Sequence, residues 1–332
     1  MATIGVHYLK GALQAIRQQG FKVEHLLARV NISSNVVNAS NGRVHTDQMS
    51  HIIRMIVREA DDEFLGFLCE RSKPGSFALL CELCHQQETL RGLFTQGGRF
   101  YNLTSNALTM ALEETGDQAT WRVQFNQPNN DKNHFFIEFW LVIWHRLASW
   151  AINEQLVLDN VYLRHQPNDY LDEFQLLFNA PNSFNQPFDG FSFERKFLDK
   201  PLVRTQNELQ AFIQRAPLDF MTMPGEDKRL STKVHQWLMH QHKQTGEFPE
   251  VEAILSHLHC SEQTLRRKLH KENSSFQKIK NELRRDLAIE MLLEQKLTVT
   301  QVAEMVGFTE PRSFSRAFKQ WTGVTPGNYR KS

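Results

Sequence analysis

Apolar positions in the first part of the chain recur at helical spacing. Ile52, Ile53, Ile56 and Val57 form one such stripe, and residues 1 to about 110 read mainly as helices, with a break at Pro74-Gly75. The period then changes. Leu108, Met110 and Leu112 alternate with other residues, Gly116-Asp117 supplies a turn, and Trp121, Val123 and Phe125 alternate again, which predicts a β-hairpin. Phe135 to Glu154 predicts a helix and Val157 to Arg164 a strand. Asn182 to Phe193, rich in Asn, Pro, Gly and Phe, predicts short strands with tight turns. Mixed helices and antiparallel strands make an α+β front domain. Pro201, Pro217, Pro224-Gly225 and the charged run Glu226-Asp227-Lys228-Arg229 place a linker at 206–228, between domains at 1–205 and 229–332. The second domain is helical throughout in pattern.

That second domain repeats itself. Val251, Ile254, Leu255 and Leu258 share one helical face, His259-Cys260 turns, and Leu265 and Leu269 follow. Val299, Val302, Ala303 and Val306, a turn at Gly307-Phe308, and Phe314 and Phe318 form a second copy. First-helix positions match at an offset of 48 and second-helix positions at 49, so the second turn is one residue longer. Each copy is a short helix, a tight turn and a second helix, the helix-turn-helix pattern. Pro249 suits the first turn of its helix, Thr298 and Gln301 form a capping box, and Ser261 and Thr309 are N-caps for the two second helices. A longer helix from about Phe276 to Gln295, with a stripe of Phe276, Ile279, Leu283, Leu287 and Met291, joins the copies and sets their spacing.

The second helices carry the chemistry. Leu265 and Leu269 point inward, while Gln263, Arg266, Arg267 and His270 lie at i, i+3, i+4 and i+7 on an outer face. Phe314, Phe318 and Trp321 point inward, and Arg312, Ser315, Arg316 and Lys319 take the same outer spacing. Arg bridges guanine O6 and N7, Gln bridges adenine, and Ser contacts either base; Lys and helix N-termini favour phosphate. One basic face alone is commonly a solvated surface. Two copies with the same inward and outward assignment point to double-stranded DNA, read in two successive major grooves.

Charge distribution supports this division. The formal net charge of +1 hides 17 Lys and Arg against 11 Asp and Glu in residues 229–332, or +6, and 21 against 26 in residues 1–228, or −5. Only the back is suited to a polyanion. Four cysteines, Cys69, Cys81, Cys84 and Cys260, are too few for a disulfide framework. Met1 to Lys10 lacks an apolar signal core, and the most apolar stretch, Phe135 to Ile152, is interrupted by Glu138, His145 and Arg146, so a membrane partner is not expected. The expected location is the cytoplasm.

Leu283-Arg284-Arg285-Asp286-Leu287-Ala288, Val302-Ala303-Glu304-Met305-Val306-Gly307-Phe308 and the run from Phe314 to Arg330 closely resemble the signature of the AraC/XylS family over about Val251 to Arg330. The resemblance implies a seven-helix DNA-binding domain with two helix-turn-helix units. It places base-reading positions on Gln263, Arg266 and Arg267 and on Pro311, Arg312, Ser315 and Arg316. Pro311 has no side-chain donor and offers apolar surface to a thymine methyl. Ser261, Thr264, His270, Thr300, Ser313 and Lys319 complete the expected DNA-contacting set. More loosely, Asp62-Glu63-Phe64-Leu65-Gly66, Gly75 to Cys81, Thr89-Leu90 and Leu198 to Leu202 are similar to AraC-type regulators with an arabinose-binding-like N-terminal domain. That similarity implies a small-molecule effector of unspecified identity and self-association as a homodimer; contact with RNA polymerase and action as an activator are further expectations for a DNA-binding regulator.

Other constellations compete with this reading. Cys81-Glu82-Leu83-Cys84-His85 fits a haem-attachment or zinc and redox pattern, but it is apolar enough for a buried helix. His235, His240 and His242, and His257, His259 and Cys260, are near one another in sequence. Asp61-Asp62-Glu63 reads as a solvated helix start. Phe184, Phe188, Phe191 and Phe193 are expected in core packing ahead of a pocket. No nucleophile, phosphate-loop or dinucleotide motif is present, so no cofactor and no catalysis are expected. The alternative is an enzyme or a metal or redox sensor fused to the DNA-binding domain.

Overall fold

The computed structural model describes residues 3–126, 129–167, 170, 174, 177–178, 180–221, 229–272, 274–293 and 297–330. From the start of the chain, β1 (Thr3–Gly5) leads to α1 (Val6–Gln18), α2 (Glu24–Arg29), α3 (Ser34–Asn38), β2 (Arg43–His45) and α4 (Thr46–Ala60). Then come α5 (Ser76–His85), α6 (Leu90–Thr104), β3 (Leu108–Thr115), β4 (Gln118–Phe125), α7 (Phe135–Ala151), β5 (Leu158–Tyr162), β6 (Asn182–Ser183) and β7 (Asp189–Glu194). A 3-10 turn (Arg195–Asp199), α8 (Gln206–Arg215) and a second 3-10 turn (Leu218–Met221) follow. The back contains α9 (Leu230–Thr245), α10 (Val251–Leu258), α11 (Glu262–Lys271), α12 (Phe276–Leu293), α13 (Val299–Met305), α14 (Pro311–Thr322) and α15 (Pro326–Arg330). Of the expected linker, residues 206–221 hold α8 and the second 3-10 turn; residues 222–228 lie outside the described residues.

Contacts divide the chain into two compact units. One comprises His7–Val30 and Met49–Glu226, the other Met1–Val6, Asn31–Gln48 and Asp227–Ser332. In the first, the α+β expectation is met. The hairpin forms with Leu108 opposite Phe125 and Thr115 opposite Gln118, and the sheet runs β3-β4-β7-β5-β6. Its pairs are antiparallel except β5 with β6. Alternation puts Trp121, Phe191 and Phe193 on the inner face, where they pack with Phe94 and Trp144.

Helix α7 is apolar on every side, and all its residues except Phe139 and Trp150 are buried. Two of its interrupting polar groups have partners inside the fold: His145 Nε2 meets the Leu156 carbonyl at 2.8 Å, and Glu138 lies 3.4 Å from His165. Among the described residues, no helix is long and apolar enough to cross a membrane. Helix α6 approaches α7 so closely that a Cβ at Gly97 would sit 2.2 Å from Trp144. The expected core role holds for Phe191 and Phe193; Phe184 and Phe188 are half-buried, with Phe188 under the Arg122 guanidinium at 4.0 Å.

The other unit joins the helical back to two short pieces of the front. β1 and β2 pair antiparallel, and Arg43 donates from Nη2 to the Thr3 carbonyl at 2.8 Å. Thr3 Oγ1 reaches Asp286 on α12 at 2.8 Å, and Tyr329 on α15 donates to the Arg43 carbonyl at 2.7 Å. These bonds fix residues 3–5 and 43–45 against the helices that carry the repeat.

Candidate nucleic-acid interface

The repeat folds as two helix-turn-helix units, α10–α11 and α13–α14. Leu265 and Leu269 are buried with Ile254, Ile279 and Leu283 in one cluster. Phe314 and Phe318 are fully buried beside Val302, Ala303 and Val306, and the ring of half-buried Trp321 lies against Phe308 at 6.0 Å. Burial of each such side chain contributes about 1.5–3 kcal/mol, so each seam holds its second helix in one rotation about its axis. That rotation leaves Gln263, Arg266, Arg267 and His270 exposed on α11, and Pro311, Arg312, Ser313, Arg316 and Lys319 exposed on α14; Ser315 is half-buried. Thr300 is exposed near the start of α13.

The caps separate into hits and corrections. Ser261 caps α11 by accepting from Thr264 N, and its hydroxyl lies 3.0 Å from the Thr264 hydroxyl. Thr298 and Gln301 form the expected capping box on α13. Thr309 is not the N-cap of α14: Glu310 holds that place, with Pro311 at the first helical position and Ser313 reaching back to the Glu310 carboxylate at 3.5 Å. The longer second turn moves the cap one residue on, in line with the offset of 49. Pro249 lies outside α10, whose N-cap is Glu250 and first residue Val251. Helix α12 ends at Leu293 among the described residues; 294–296 lie outside them.

Helix α12 ties the two units through residues that periodicity does not reveal. The Arg284 guanidinium lies over the rings of Phe248 and Phe308, at 5.3 and 5.2 Å, and donates to the Gly307 carbonyl at 3.4 Å. Phe248 precedes the first unit and Phe308 forms the turn of the second. Burial lowers the pKa of Arg284 from its ordinary value. Buried Lys280 donates to Glu250 at 2.7 Å, which holds that carboxyl below its usual range and fixes the start of α10 to α12. The one available signal was that Arg284 sits inside the Leu283–Ala288 signature.

The competing constellations resolve differently. Cys81 and Cys84 are buried on α5; burial raises both thiols, Cys84 to about 12, and His85 Nε2 lies 2.8 Å from the Arg204 carbonyl. Among the described residues, no group of three or more His, Cys, Asp or Glu is placed to hold a metal. The acidic run is not a solvated helix start. It follows the end of α4, and buried Asp62 accepts from the backbone N–H groups of Phe64, Gly66 and Ser72 at 2.8–2.9 Å. Glu63 accepts from Gly75 and Phe77 N–H at 2.7 Å each.

Residues 20–202 match the family model described as the arabinose-binding domain of AraC transcription regulator, N-terminal. Residues 254–332 match a helix-turn-helix domain model. The chain belongs to the AraC transcription-regulator family. Over 330 residues, 99% of this AraC-type regulator and 96% of its relative, it is 21% identical to the ornithine utilization regulator of Pseudomonas aeruginosa. An uncharacterised HTH-type transcriptional regulator of Mycobacterium bovis is 27% identical over 300 residues, 86% of this chain and 83% of the relative. The crystal structure of the transcriptional regulator CdpR from Pseudomonas aeruginosa aligns over 99% of both chains at 16% identity with a TM-score of 0.32. The two sequence relatives are transcription regulators, which does not favour the alternative of an enzyme or a metal or redox sensor fused to the DNA-binding domain. The AraC-type regulator is thus a DNA-binding transcription regulator with an arabinose-binding-like front.

Proposed function

We propose that this regulator reads its operator through the outer faces of α11 and α14, placed in successive major grooves about 34 Å apart. The observation that supports this is the repeated sidedness: each second helix buries its apolar seam and exposes its arginines at i+3 and i+4 or at i and i+4. Gln263, Arg266 and Arg267, and Arg312, Ser315 and Arg316, contact bases, and Pro311 adds apolar surface. Ser261, Thr264, His270, Thr300, Ser313 and Lys319 contact the backbone or flanking edges. The front, within residues 1–205, senses a small molecule, and residues 229–332 bind DNA. The regulator works as a cytoplasmic homodimer that contacts RNA polymerase, and it is not an enzyme. Ligand shifts the presentation of the DNA-binding helices only by the difference in its affinity for the two states.

Footprinting of genomic fragments selected by the full chain tests the reading. Two protected major-groove stretches per chain, about 10 base pairs apart, are expected. Protection of a single groove per chain would remove one of the two reading helices from the account.

A further inference from the structure

The unit formed by His7–Val30 and Met49–Glu226 holds an open cavity of about 620 Å³, a size typical of small-molecule sites. Its walls are apolar and rich in rings: Phe77, Phe139, Trp140 and Phe220, with Ile53 and Val57 from α4. Its polar rim is uneven. Both Glu63 oxygens are taken by the Gly75 and Phe77 N–H groups, and one carboxylate, Asp61, shares the exposed rim with two arginines, Arg54 and Arg58. Arg54 and Arg58, one turn apart on α4, supply two guanidinium groups. Among the described residues, Arg54 donates to neutral oxygens, the Ser50 hydroxyl at 3.1 Å and the Arg215 carbonyl at 3.2 Å. Among the described residues, no carboxylate lies within ion-pair distance of Arg54 or Arg58.

The second acceptor of Arg54 is part of the segment that leads to the DNA-binding helices. Arg215 is the last residue of α8, and its carbonyl is one of those a helix leaves unpaired. Beyond it, Pro217 and Phe220 complete the cavity wall, with the Phe220 ring 5.4 Å from Phe77. Eight residues separate Met221, the end of this wall, from Leu230, where α9 begins.

We propose that this cavity binds a small organic acid with an apolar, ring-sized body, whose carboxylate engages Arg54 and Arg58 and draws Arg54 off the Arg215 carbonyl. The inference rests on the reading that the front senses an effector. A carboxylate carries a full opposite charge and accepts two parallel guanidinium N–H bonds, neither of which the Arg215 carbonyl offers, so the exchange is favourable. It frees the end of α8 and re-seats Pro217 and Phe220 against the new occupant. Ligand contacts thereby reach the stretch that connects the front to the reader.

Calorimetry of the full chain with benzoate, 3-phenylpropionate and 4-phenylbutyrate, each paired with its amide, tests the site. At least one acid binds, and its amide binds about tenfold more weakly or not at all. Arg54→Met weakens the acid about tenfold, and Ala78→Trp, which fills the cavity from α5, abolishes binding while operator affinity is kept. Hydrogen exchange at residues 215–221 rises on adding the acid. Absence of binding by all three acids at millimolar concentration, equal binding of acid and amide, or wild-type binding by both variants overturns the proposal. If Ala78→Trp fails to fold, Ile213→Phe serves in its place. A different metabolite that alters operator affinity equally in wild type and Ala78→Trp overturns this cavity as the site but leaves effector sensing intact. Acids that bind as expected without changing operator affinity instead overturn the regulatory reading.

Discussion

The first helix-turn-helix unit closes its turn with His259 at φ 48°, the second with Gly307 at φ 77°. The same left-handed conformation is reached by a residue that resists it and by one that does not. The reason lies in what packs nearby. A Cβ at Gly307 would meet Arg284 Nη2 at 3.1 Å, so a side chain there would press on the arginine that bridges the units. His259 is exposed. The seams differ in the same direction. The second helix of the first unit turns two leucines into a mainly aliphatic cluster with Ile254, Ile279 and Leu283, whereas that of the second turns in Phe314, Phe318 and Trp321, with Phe308 and Tyr329 edge-on around them. The second unit is also bound through Tyr329 to the β1–β2 piece. Similar outer faces are therefore carried by different supports, aliphatic in the first unit and aromatic in the second, and the aromatic one is tied to the beginning of the chain.

The strongest challenge to that contrast is truncation of the seams. Phe314→Ala should cost about 3–5 kcal/mol of stability and Leu265→Ala about 2–5 kcal/mol, in denaturant unfolding. A larger loss at Leu265 would reverse the ranking of the two supports. Next come the reading faces. Arg267→Ala and Arg316→Ala should each lose about 1–3 kcal/mol of operator affinity by fluorescence anisotropy, and relax base preference at positions one helical turn apart. Relaxation at the same base pair in both variants would contradict two separate grooves. The turns give a change of opposite sign. Gly307→Ala should destabilise by about 1–2 kcal/mol, whereas His259→Gly should be neutral or stabilising, because left-handed strain of about 1–2 kcal/mol is relieved against the entropy of an added glycine. Smallest is the cap contrast. Ser261→Ala should cost about 1 kcal/mol, and Glu310→Ala only a few tenths, since the Glu310 side chain makes no cap hydrogen bond. Equal losses would show that Glu310 acts through its charge on the helix dipole.

Much of this was legible along the chain because it is local. Helical spacing of Leu265 with Leu269 and of Phe314 with Phe318 fixes which side is buried, and the side left over follows by subtraction. The hairpin from Leu108 to Phe125 was legible for the same reason, period two around a Gly-Asp turn. Misplacement occurred where a local rule had two solutions. Thr309 is a favoured cap type, yet its neighbour Glu310 holds the place because the turn is one residue longer, and Asp61-Asp62-Glu63 suits a helix start as well as a loop whose backbone N–H groups need acceptors. At the reading faces, residue types and spacing sufficed to nominate every candidate, but not to show that Ser313 turns toward Glu310 or that Thr264 pairs with Ser261.

By itself, the sequence determined the class of the protein, its two helix-turn-helix units and the residues on their outer faces, since each depends on neighbours within about two helical turns. Only the tertiary structure decided that residues 31–48 pack with the DNA-binding helices, that Arg284 spans the two units between Phe248 and Phe308, and that Arg54 reaches from α4 to the end of α8. Such contacts join residues tens to hundreds of positions apart. They arise from the docking of finished elements, which no periodicity in one stretch of chain encodes.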